Sequence, residues 1–292
     1  MKTVTVLLHK DEIDLYKEVG LDMVAIATEG LSAKGYPGFS MDSMKEIVDQ
    51  LNGVKLPWAW ILPTLILEAD FELFKQQAQQ MMEYSCNCVI VSDVGAFDYL
   101  KQLNPDLFII LQTDTTIPNP YDVLEFLDLG VSSVGLAREC TFEEIQGIVQ
   151  VTPHVMIHVF GYQLMSISKR PLMSNYFKFI KKTPLPLYTE VILKEEKRDE
   201  VYRAIEDTSG FSIYTPTVLE MFDEIKQIDH PLLFGWIEPM FLPTDVITKA
   251  VHLFKTKANS EDAVATLTKL SEVKYAKGLL YTPTSATREV AI

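Results

Sequence analysis

Short apolar runs rich in β-branched residues alternate along the chain with longer segments whose apolar residues recur every three or four positions. Such runs predict buried strands, and the three-to-four spacing predicts amphipathic helices. The predicted strands cover residues 3–8, 23–27, 58–62, 88–92, 107–112, 132–137, 155–159 and 232–237. The predicted helices cover residues 11–20, 41–52, 68–84, 95–103, 120–129, 141–150, 217–228 and 243–256. N-caps are expected at Asp11, Asp70, Asn119 and Thr141, the last in a capping box with Glu144.

Eight strands alternating with eight helices predict an α/β fold of the (β/α)₈ TIM-barrel type. An open doubly wound sheet is the alternative, but no glycine-rich phosphate loop follows the first strand. We expect a single TIM-barrel-like domain over residues 1–292, with a loop-rich insert at about 160–215 between the seventh strand and its helix. The insert then lies at the C-terminal face of the barrel, where enzymes of this fold have their active sites.

Polar residues stand at or just beyond most of the predicted strand ends, which converge on one barrel mouth. A strand-end Asp often caps the next helix, and a His within an apolar run is often a core residue. Asp114 and Glu238 are candidates for a pair of catalytic carboxylates, although the sequence does not give their separation. No zinc-binding His-Glu-x-x-His and no Gly-x-Ser-x-Gly elbow is present, and no Cys–His pair stands out as a nucleophile with its base. The strand-end residues are His9, Asp93, Gln112, Asp114, Arg138, Glu139, His158 and Glu238.

The length of 292 residues and the 48% hydrophobic content allow a large buried core. No 18-residue apolar run is free of charges, and the first residues are too soon interrupted for a signal peptide, so we expect a cytoplasmic protein without a membrane span. Cys86, Cys88 and Cys140 cannot form a disulfide framework and are expected to be reduced core thiols.

The charge is unevenly distributed. A net charge of −14 argues against a stand-alone nucleic-acid binder. Residues 160–203, however, contain nine Lys or Arg against five Asp or Glu, and residues 169–182 contain five basic residues and no acidic one. A basic insert on an acidic body indicates either an anion-binding surface or a solvated loop that happens to be basic.

Several segments form an ordered set of motifs. The first covers residues 110–119, and the second, residues 134–145, is Val-Gly-Leu-Ala-Arg-Glu-Cys-Thr-Phe-Glu-Glu-Ile. The third runs from His158 to Phe177, and the fourth comprises residues 194–198, 206–210 and 236–238. A final segment, Lys-Gly-Leu-Leu-Tyr, covers residues 277–281. In this order the segments resemble the collagenase-like peptidase family U32 over nearly the whole chain.

The resemblance implies RNA chemistry more than proteolysis. The better-understood members of the family are prephenate-dependent tRNA uridine or ribosomal RNA cytidine 5-hydroxylation proteins and ubiquinone-pathway hydroxylation proteins. The third motif, with Ser168, Lys169 and Arg170 ahead of Asn175 and Tyr176, is most similar to the tRNA branch. Arg138 and Glu139 also match the family pattern. The family's Lys-Ile-Glu-Gly-Arg appears here as residues 236–240, Trp-Ile-Glu-Pro-Met, which retains only Glu238 of its charged residues.

Many members of the family hold a [4Fe–4S] cluster on four cysteines. The corresponding positions here are Leu164 and Pro171, and approximately Tyr188 and Glu220. Iron–sulfur clusters are held by thiolates, and none of these residues supplies one. We therefore expect no cluster, no resident metal and no other cofactor on this chain.

The resemblance and the strand-end positions together give the candidate residues. The catalytic candidates are Arg138, Glu139, His158, Glu238 and Asp114, with Arg138 holding a small anionic ligand through its two-pronged guanidinium. The candidates for contact with RNA or another substrate lie in the basic insert, where lysine and arginine would meet phosphates. They are Lys169, Arg170, Asn175, Tyr176, Lys178, Lys181 and Lys182.

Three functional hypotheses follow, and the sequence does not decide whether the chain is an enzyme. The first is a cluster-free component of tRNA wobble-uridine 5-hydroxylation that forms a hetero-oligomer with a cysteine-bearing paralogue. The second is a non-catalytic barrel that binds a ligand or a partner, through an interface of apolar residues that would otherwise pack in the core. The third is a peptidase, as the family name states. The apolar residues in question are Trp58, Trp60, Trp236, Phe241 and Leu242.

Overall fold

The computed structural model describes residues 1–197 and 199–283. Its strands are β1 (Lys2–Val6), β2 (Met23–Ala27), β3 (Trp58–Leu62), β4 (Cys88–Val91), β5 (Phe108–Leu111), β6 (Ser133–Gly135), β7 (Val155–Ser168), β8 (Glu190–Lys194), β9 (Val201–Asp207), β10 (Gly210–Glu220), β11 (Phe234–Ile237) and β12 (Tyr275–Ala276). Its α-helices are α1 (Glu12–Glu18), α2 (Met41–Val54), α3 (Phe71–Glu83), α4 (Val94–Leu103), α5 (Pro120–Asp128), α6 (Phe142–Val151), α7 (Leu172–Phe179), α8 (Phe222–Gln227), α9 (Thr244–Lys255) and α10 (Ser260–Thr268), and a 3₁₀ helix at Glu68–Asp70 precedes α3.

The predicted (β/α)₈ barrel is confirmed. Strands β1 to β7 pair in sequence order with parallel registers, and β11 closes the barrel between β7 and β1. Every residue of β2, β3, β4 and β11 is buried. Strands covered on both faces favour continuous apolar runs over alternation, which is why the short apolar segments locate them so well.

Two of the helices begin at a predicted N-cap whose side chain makes the capping hydrogen bond. The predicted capping box is present, since the Thr141 hydroxyl accepts from Glu144 N and the Glu144 side chain accepts from Thr141 N. Asn119 caps α5 through its side chain. Asp11 and Asp70 stand at N-cap positions, but their side chains make no capping hydrogen bond. Two of the four expected caps therefore function through their side chains.

The segment after residue 160 differs from the loop-rich insert that we expected. Strand β7 continues past the barrel rim to Ser168 and pairs antiparallel with β10, from Phe211↔Ser168 to Glu220↔Phe160. Strands β9 and β8 extend this sheet outward, and α7 lies between β7 and β8. We call residues 160–220 the arm. It is an antiparallel extension of the barrel sheet that bears one helix.

The predicted helix at residues 217–228 is wrong in its first part. Residues 217–220 belong to β10, and only Phe222–Gln227 are helical. The apolar residues of this stretch have helical spacing, but the backbone of β10 is hydrogen-bonded to β7 and also meets β12 at Val218 and Leu219. Pairing on both sides outweighs the local preference for a helix.

The apolar residues considered as an interface lie in the core instead. Trp60 has no solvent exposure, and Trp58, Trp236 and Leu242 are at most 8% exposed, while Phe241 is partly buried against them. Cys86, Cys88 and Cys140 are buried free thiols, as expected. Within the described residues, no helix is both long and apolar enough to cross a membrane.

Candidate functional site

The C-terminal ends of the barrel strands enclose a small polar space. Its volume is about 20 Å³, which is close to the room that one water molecule needs. The loop between β2 and α2 closes it from above through Lys34 and Tyr36, so the mouth is plugged. The polar lining consists of Lys34, Tyr36, Ser92, Gln112, Asp114, Arg138, His158 and Glu238. We call this space the mouth cavity.

Asp114 forms the charged centre of the mouth cavity. Its carboxylate is ion-paired with the Lys34 ammonium and accepts a long hydrogen bond of 3.4 Å from Gln112 Nε2. Burial alone would raise the pKa of Asp114, but the charges of Lys34 and Arg138 outweigh it and lower that pKa below its usual value. Asp114 is thus a fixed anion and a poor proton donor at neutral pH.

Arg138 is held at the rim through main-chain contacts. Both its backbone N and its side-chain Nε donate to the Asp114 carbonyl oxygen, at 3.1 and 3.2 Å. Its Nη1 atom is buried without a hydrogen-bond partner among the described residues. A guanidinium that is fixed at one edge and unsatisfied at the other is arranged to bind an acceptor.

Glu238 is the second carboxylate of the cavity. It accepts from the Tyr36 hydroxyl at 2.6 Å, from Trp236 Nε1 at 3.2 Å and from Met240 N at 3.2 Å. Burial nevertheless raises the pKa of Glu238, in spite of these three donors. The opposite pKa shifts of Asp114 and Glu238 give the site one fixed anion and one carboxyl that holds its proton more readily.

Gly161 allows β7 to pass close to Glu238. Its φ is +110°, and a Cβ placed there would lie 2.4 Å from the Glu238 carbonyl oxygen. Only glycine accommodates both the backbone angle and this contact. At this point β7 leaves the barrel and enters the arm.

His158 completes the cavity as a neutral imidazole. Burial and the charge of Arg138 lower its pKa to about 3. Its Nε2 is buried without a described partner, as are Arg138 Nη1 and Gln112 Oε1. Buried polar atoms are rarely left unpaired, so three around one cavity indicate a place for a water or a small polar ligand. The set offers a cationic donor, an acceptor and a ring nitrogen that serves as either.

Three other strand-end residues lie outside the mouth cavity. Asp93 is a helix cap, since its carboxylate accepts from Ala96 N at 2.8 Å. Glu139 is exposed, next to the buried Cys140. His9 is exposed and lines a separate cleft, between the barrel and the arm. Of the five catalytic candidates, the structure therefore brings Asp114, Arg138, His158 and Glu238 together and leaves Glu139 outside.

The basic candidates lie on the arm and differ in whether their side chains are hydrogen-bonded or exposed to solvent. Lys169 is tethered, because its ammonium donates to Thr64 Oγ1 and Ser209 Oγ, each at 3.0 Å. The N-terminus of α7 is anchored by the buried Glu206, which accepts from Met173 N at 2.8 Å. The other candidates are exposed on α7 and its flanks: Arg170, Asn175, Tyr176, Lys178, Lys181 and Lys182.

Sequence reasoning missed three residues that close the mouth. Lys34 and Tyr36 come from the β2–α2 loop, and Tyr214 comes from β10, where its hydroxyl donates to the Lys34 carbonyl at 2.6 Å. None of them stands at the end of a barrel strand. The available signal was the loop itself, which carries Gly30, Gly35 and Gly38 within nine residues.

The four cluster-ligand positions of the family do not fit an iron–sulfur cluster here. Leu164 is 7% exposed and packs in the core, whereas Pro171 and Tyr188 are exposed on the arm. Glu220 is ion-paired with Lys277 and hydrogen-bonded to Ser260 Oγ at 2.8 Å. The four positions therefore hold a leucine, a proline, a tyrosine and an already engaged glutamate, whereas an iron–sulfur cluster requires thiolate ligands. The three cysteines do not replace them, because all three are buried and the described residues contain no group of three or more Cys, His, Asp or Glu side chains that could hold a metal ion.

Comparisons with known proteins agree with the motifs. The tRNA hydroxylation protein P2 of Bacillus subtilis (strain 168) is 26% identical over 153 residues, which are 51% of this chain and 50% of that protein. The tRNA hydroxylation protein P of Helicobacter pylori (strain J99) is 22% identical over 159 residues, 53% of this chain and 38% of that protein. The chain thus matches half or less of the length of these relatives.

A solved structure of a U32 peptidase superposes with a TM-score of 0.45 at 13% identity, covering 56% of this chain and 70% of that one. The family model of peptidase family U32 matches residues 10–183. That match covers more than half of the chain and contains Asp114, Arg138 and His158 as well as α7. This protein belongs to peptidase family U32.

Proposed function

We propose that this chain is a component of tRNA hydroxylation that holds no iron–sulfur cluster and acts with a cysteine-bearing member of its family. The observation that carries the proposal is the similarity to proteins named for tRNA hydroxylation over about half of the chain. The wobble uridine is the proposed target. Hydroxylation at C5 of the uridine is an oxidation and needs redox chemistry. In this proposal the partner supplies that chemistry, and the two proteins together carry out the whole reaction.

The arm supports a role in RNA binding. Lys178, Lys181 and Lys182 are exposed at the end of α7, and residues 169–182 contain no acidic residue. Lysines in such an arrangement bind phosphates without reading sequence, and they release counterions as they do so. On an acidic chain, such a patch confines the RNA to one face.

The mouth cavity supports binding of a small anionic ligand. Arg138 Nη1 is an unsatisfied cationic donor, and Lys34 adds a second positive charge beside it. The cavity as it stands holds about one water, so a larger ligand requires the β2–α2 loop to open. Glu139, exposed beside Arg138, is proposed to contribute from the rim.

Mass spectrometry of tRNA from cells with and without this gene tests the function. We expect 5-hydroxyuridine derivatives to disappear when the gene is removed and to return with the intact gene. An unchanged profile, in cells shown to make the modification, overturns the proposal and favours a binding barrel without this activity.

Charge reversal tests the RNA surface. Lys181→Glu with Lys182→Glu should abolish RNA retention at physiological salt, whereas Lys269→Glu with Lys274→Glu makes the same charge change at exposed positions on the C-terminal part of the chain. Equal retention by the two double variants would end the assignment of α7 to RNA.

Co-purification tests the partner. The tagged full chain should retain a cysteine-bearing family member, and iron in the complex should be lost when that partner's cysteines are replaced. A chain that restores the modification in cells lacking every such paralogue would show that no partner is needed.

A further inference from the structure

A second and much larger cavity lies beside the plugged mouth. It is a cleft of about 830 Å³ between the β2–α2 loop, the arm and the segment after β11, lined by His9, Glu29, Tyr188, Ile205, Met240 and Phe241 among others. This volume is within the range of about 300–1,000 Å³ that is usual for small-ligand sites. Neither the barrel nor the RNA surface described above accounts for it.

The walls of the cleft are held firmly by contacts behind them. Gly35 N donates to Asp207 Oδ2 at 2.8 Å, which ties the β2–α2 loop to the arm. At Gly35 the φ is +82°, and an added Cβ would lie 2.7 Å from Met240 Cε. Ile205 packs against the same glycine. A pocket whose shape is fixed in advance loses little entropy when it binds a ligand.

Two bulky aromatic residues in the lining have left-handed backbones. Tyr188 and Phe241 both have φ +63°, and they are the two aromatic residues among the described non-glycine residues with positive φ. This conformation is unfavourable for large side chains and persists where the surroundings impose it. The Phe241 ring is in T-shaped contact with Tyr214 and Tyr162 at centroid distances of 5.2 and 6.2 Å, and the Arg203 guanidinium lies over it at 5.8 Å from its centroid. Tyr188, by contrast, is 43% exposed.

The cleft, unlike the mouth cavity, has no Lys or Arg side chain to balance the carboxylates of its described lining. Its described lining includes Glu29 and Glu190 and contains no Lys or Arg. Glu190 is ion-paired with Arg203. Within the described part of the chain, no ion pair or side-chain hydrogen bond engages the Glu29 carboxylate. The cleft is therefore unsuited to an anion and suited to a neutral, flat ring that donates an N–H group.

We infer that this cleft binds the target base of the RNA, a uracil turned out of its stack. The inference rests on the proposed function. The uracil face would stack on the exposed Tyr188 ring, with Phe241 forming part of the wall behind it, and the uracil N3–H would donate to the Glu29 carboxylate. Cytosine has an acceptor at N3 and cannot make this contact, although its N4 amino group is also a donor.

The position of the RNA surface agrees with this assignment. Lys182, at the end of the basic patch, and Tyr188, in the lining, are six residues apart, so at most about 20 Å separates them. A strand whose phosphates lie on α7 can therefore place one extruded base in the cleft. The loss of stacking and pairing that extrusion entails is smallest in a single-stranded anticodon loop.

Photo-crosslinking tests the location directly. An anticodon stem-loop with 4-thiouridine at the wobble position is irradiated with the purified full chain, or with its complex if a partner is required. We expect adducts on peptides that contain Tyr188 or Phe241. Adducts confined to α7 or to the mouth cavity would overturn the assignment.

Variants test the roles of the lining. Tyr188→Ala should reduce both the crosslink and the modification in cells about fivefold or more, and Glu29→Ala about tenfold. Tyr121→Ala and Glu125→Ala are matched controls, since both residues are exposed on α5. Thermal unfolding of all four variants establishes that they are folded. Cleft variants that behave as the α5 controls overturn the inference.

The two proposals fail in different ways. If loss of the gene abolishes the modification but the cleft variants restore it fully, the cleft assignment falls and the proposed function remains. If loss of the gene changes nothing and no adduct forms, both fall.

Discussion

The barrel mouth and the arm differ in solvent exposure: the mouth buries charged side chains, whereas the arm exposes aromatic ones. In the mouth, Lys34, Asp114 and Glu238 are enclosed and engaged, and the space left between them holds about one water. On the arm, Tyr176 and Phe179 of α7 are 57% and 84% exposed, beside exposed lysines. Buried charged side chains are held in place by their neighbours and can serve chemistry or stability. Exposed side chains remain available to a binding partner. Substitutions in the mouth should therefore cost folding energy, and substitutions on the arm should cost binding.

The largest loss of stability is expected at the junction of the two regions. Gly161→Val places a branched side chain at φ +110° and within 2.4 Å of the Glu238 carbonyl oxygen. We expect the free energy of unfolding to fall by about 3 kcal/mol or more, measured by urea denaturation. Gly147→Ala is the control, because nothing lies within 4 Å of that position in α6. Equal stability of the two variants would contradict the close approach.

Breaking the buried ion pair of the mouth should have an effect of the same order. Lys34→Met leaves Asp114 without its cation, and breaking a buried pair typically costs about 3–5 kcal/mol. Removing both charges, with Lys34→Met and Asp114→Leu, should restore much of that loss because no unpaired charge remains. Lys10→Met breaks the exposed pair with Glu46 and should leave the urea midpoint unchanged. A single and a double variant of equal stability would show that the pair is not the cause.

His158 should make stability depend on pH. Its pKa is lowered to about 3 in the folded protein, whereas the unfolded value is about 6.5. Between these values the unfolded chain takes up a proton that the folded protein does not, so stability is full above about pH 6.5 and falls as the pH is lowered towards 3. The contribution lost at pH 5 should be on the order of 1–2 kcal/mol.

Urea denaturation at pH 7 and pH 5 measures this dependence. His158→Gln should reduce the difference between the two conditions, and His252→Gln, at an exposed position on α9, should not. An undiminished difference in the His158 variant would assign the titration to another group.

The smallest effect on stability is expected on the arm. Lys181→Glu with Lys182→Glu should change the free energy of unfolding by less than about 0.5 kcal/mol, because both side chains are exposed. The same double variant is expected to lose RNA retention, so binding and folding separate in one protein. A large loss of thermal stability would mean that the end of α7 packs more tightly than its exposure indicates.

The barrel was predictable because its strands are buried on both faces, and the apolar run 58–62 coincides with β3 to the residue. The arm was not, because its register depends on pairing between β7 and β10, which are distant in sequence. The apolar spacing around Val218 and Met221 is helical, yet the backbone there forms a strand as far as Glu220.

The residues of the mouth cavity that lie at the ends of barrel strands could be predicted from the sequence. Asp114, Arg138, His158 and Glu238 follow from the convergence of parallel strands on one edge. Lys34 and Tyr214 enter the mouth from a loop and from an arm strand, so only the folded arrangement reveals them. The cleft depends on Tyr188 and Phe241, whose backbone angles no local pattern indicates.

The hydrogen bonds that close the mouth also set an order of events during synthesis. Tyr36 bonds to Glu238 across 202 residues of sequence, Lys34 to Tyr214 across 180 and Gly35 to Asp207 across 172. At about 5–20 residues per second, a ribosome needs roughly 10–40 s to supply these partners. The nascent chain therefore lacks these three fastenings of the β2–α2 loop until the arm and the last barrel strand have emerged, although Asp114 is available earlier to pair with the Lys34 ammonium. The loop is therefore fastened late in synthesis, and a chain that stops before residue 207 lacks all three of these hydrogen bonds.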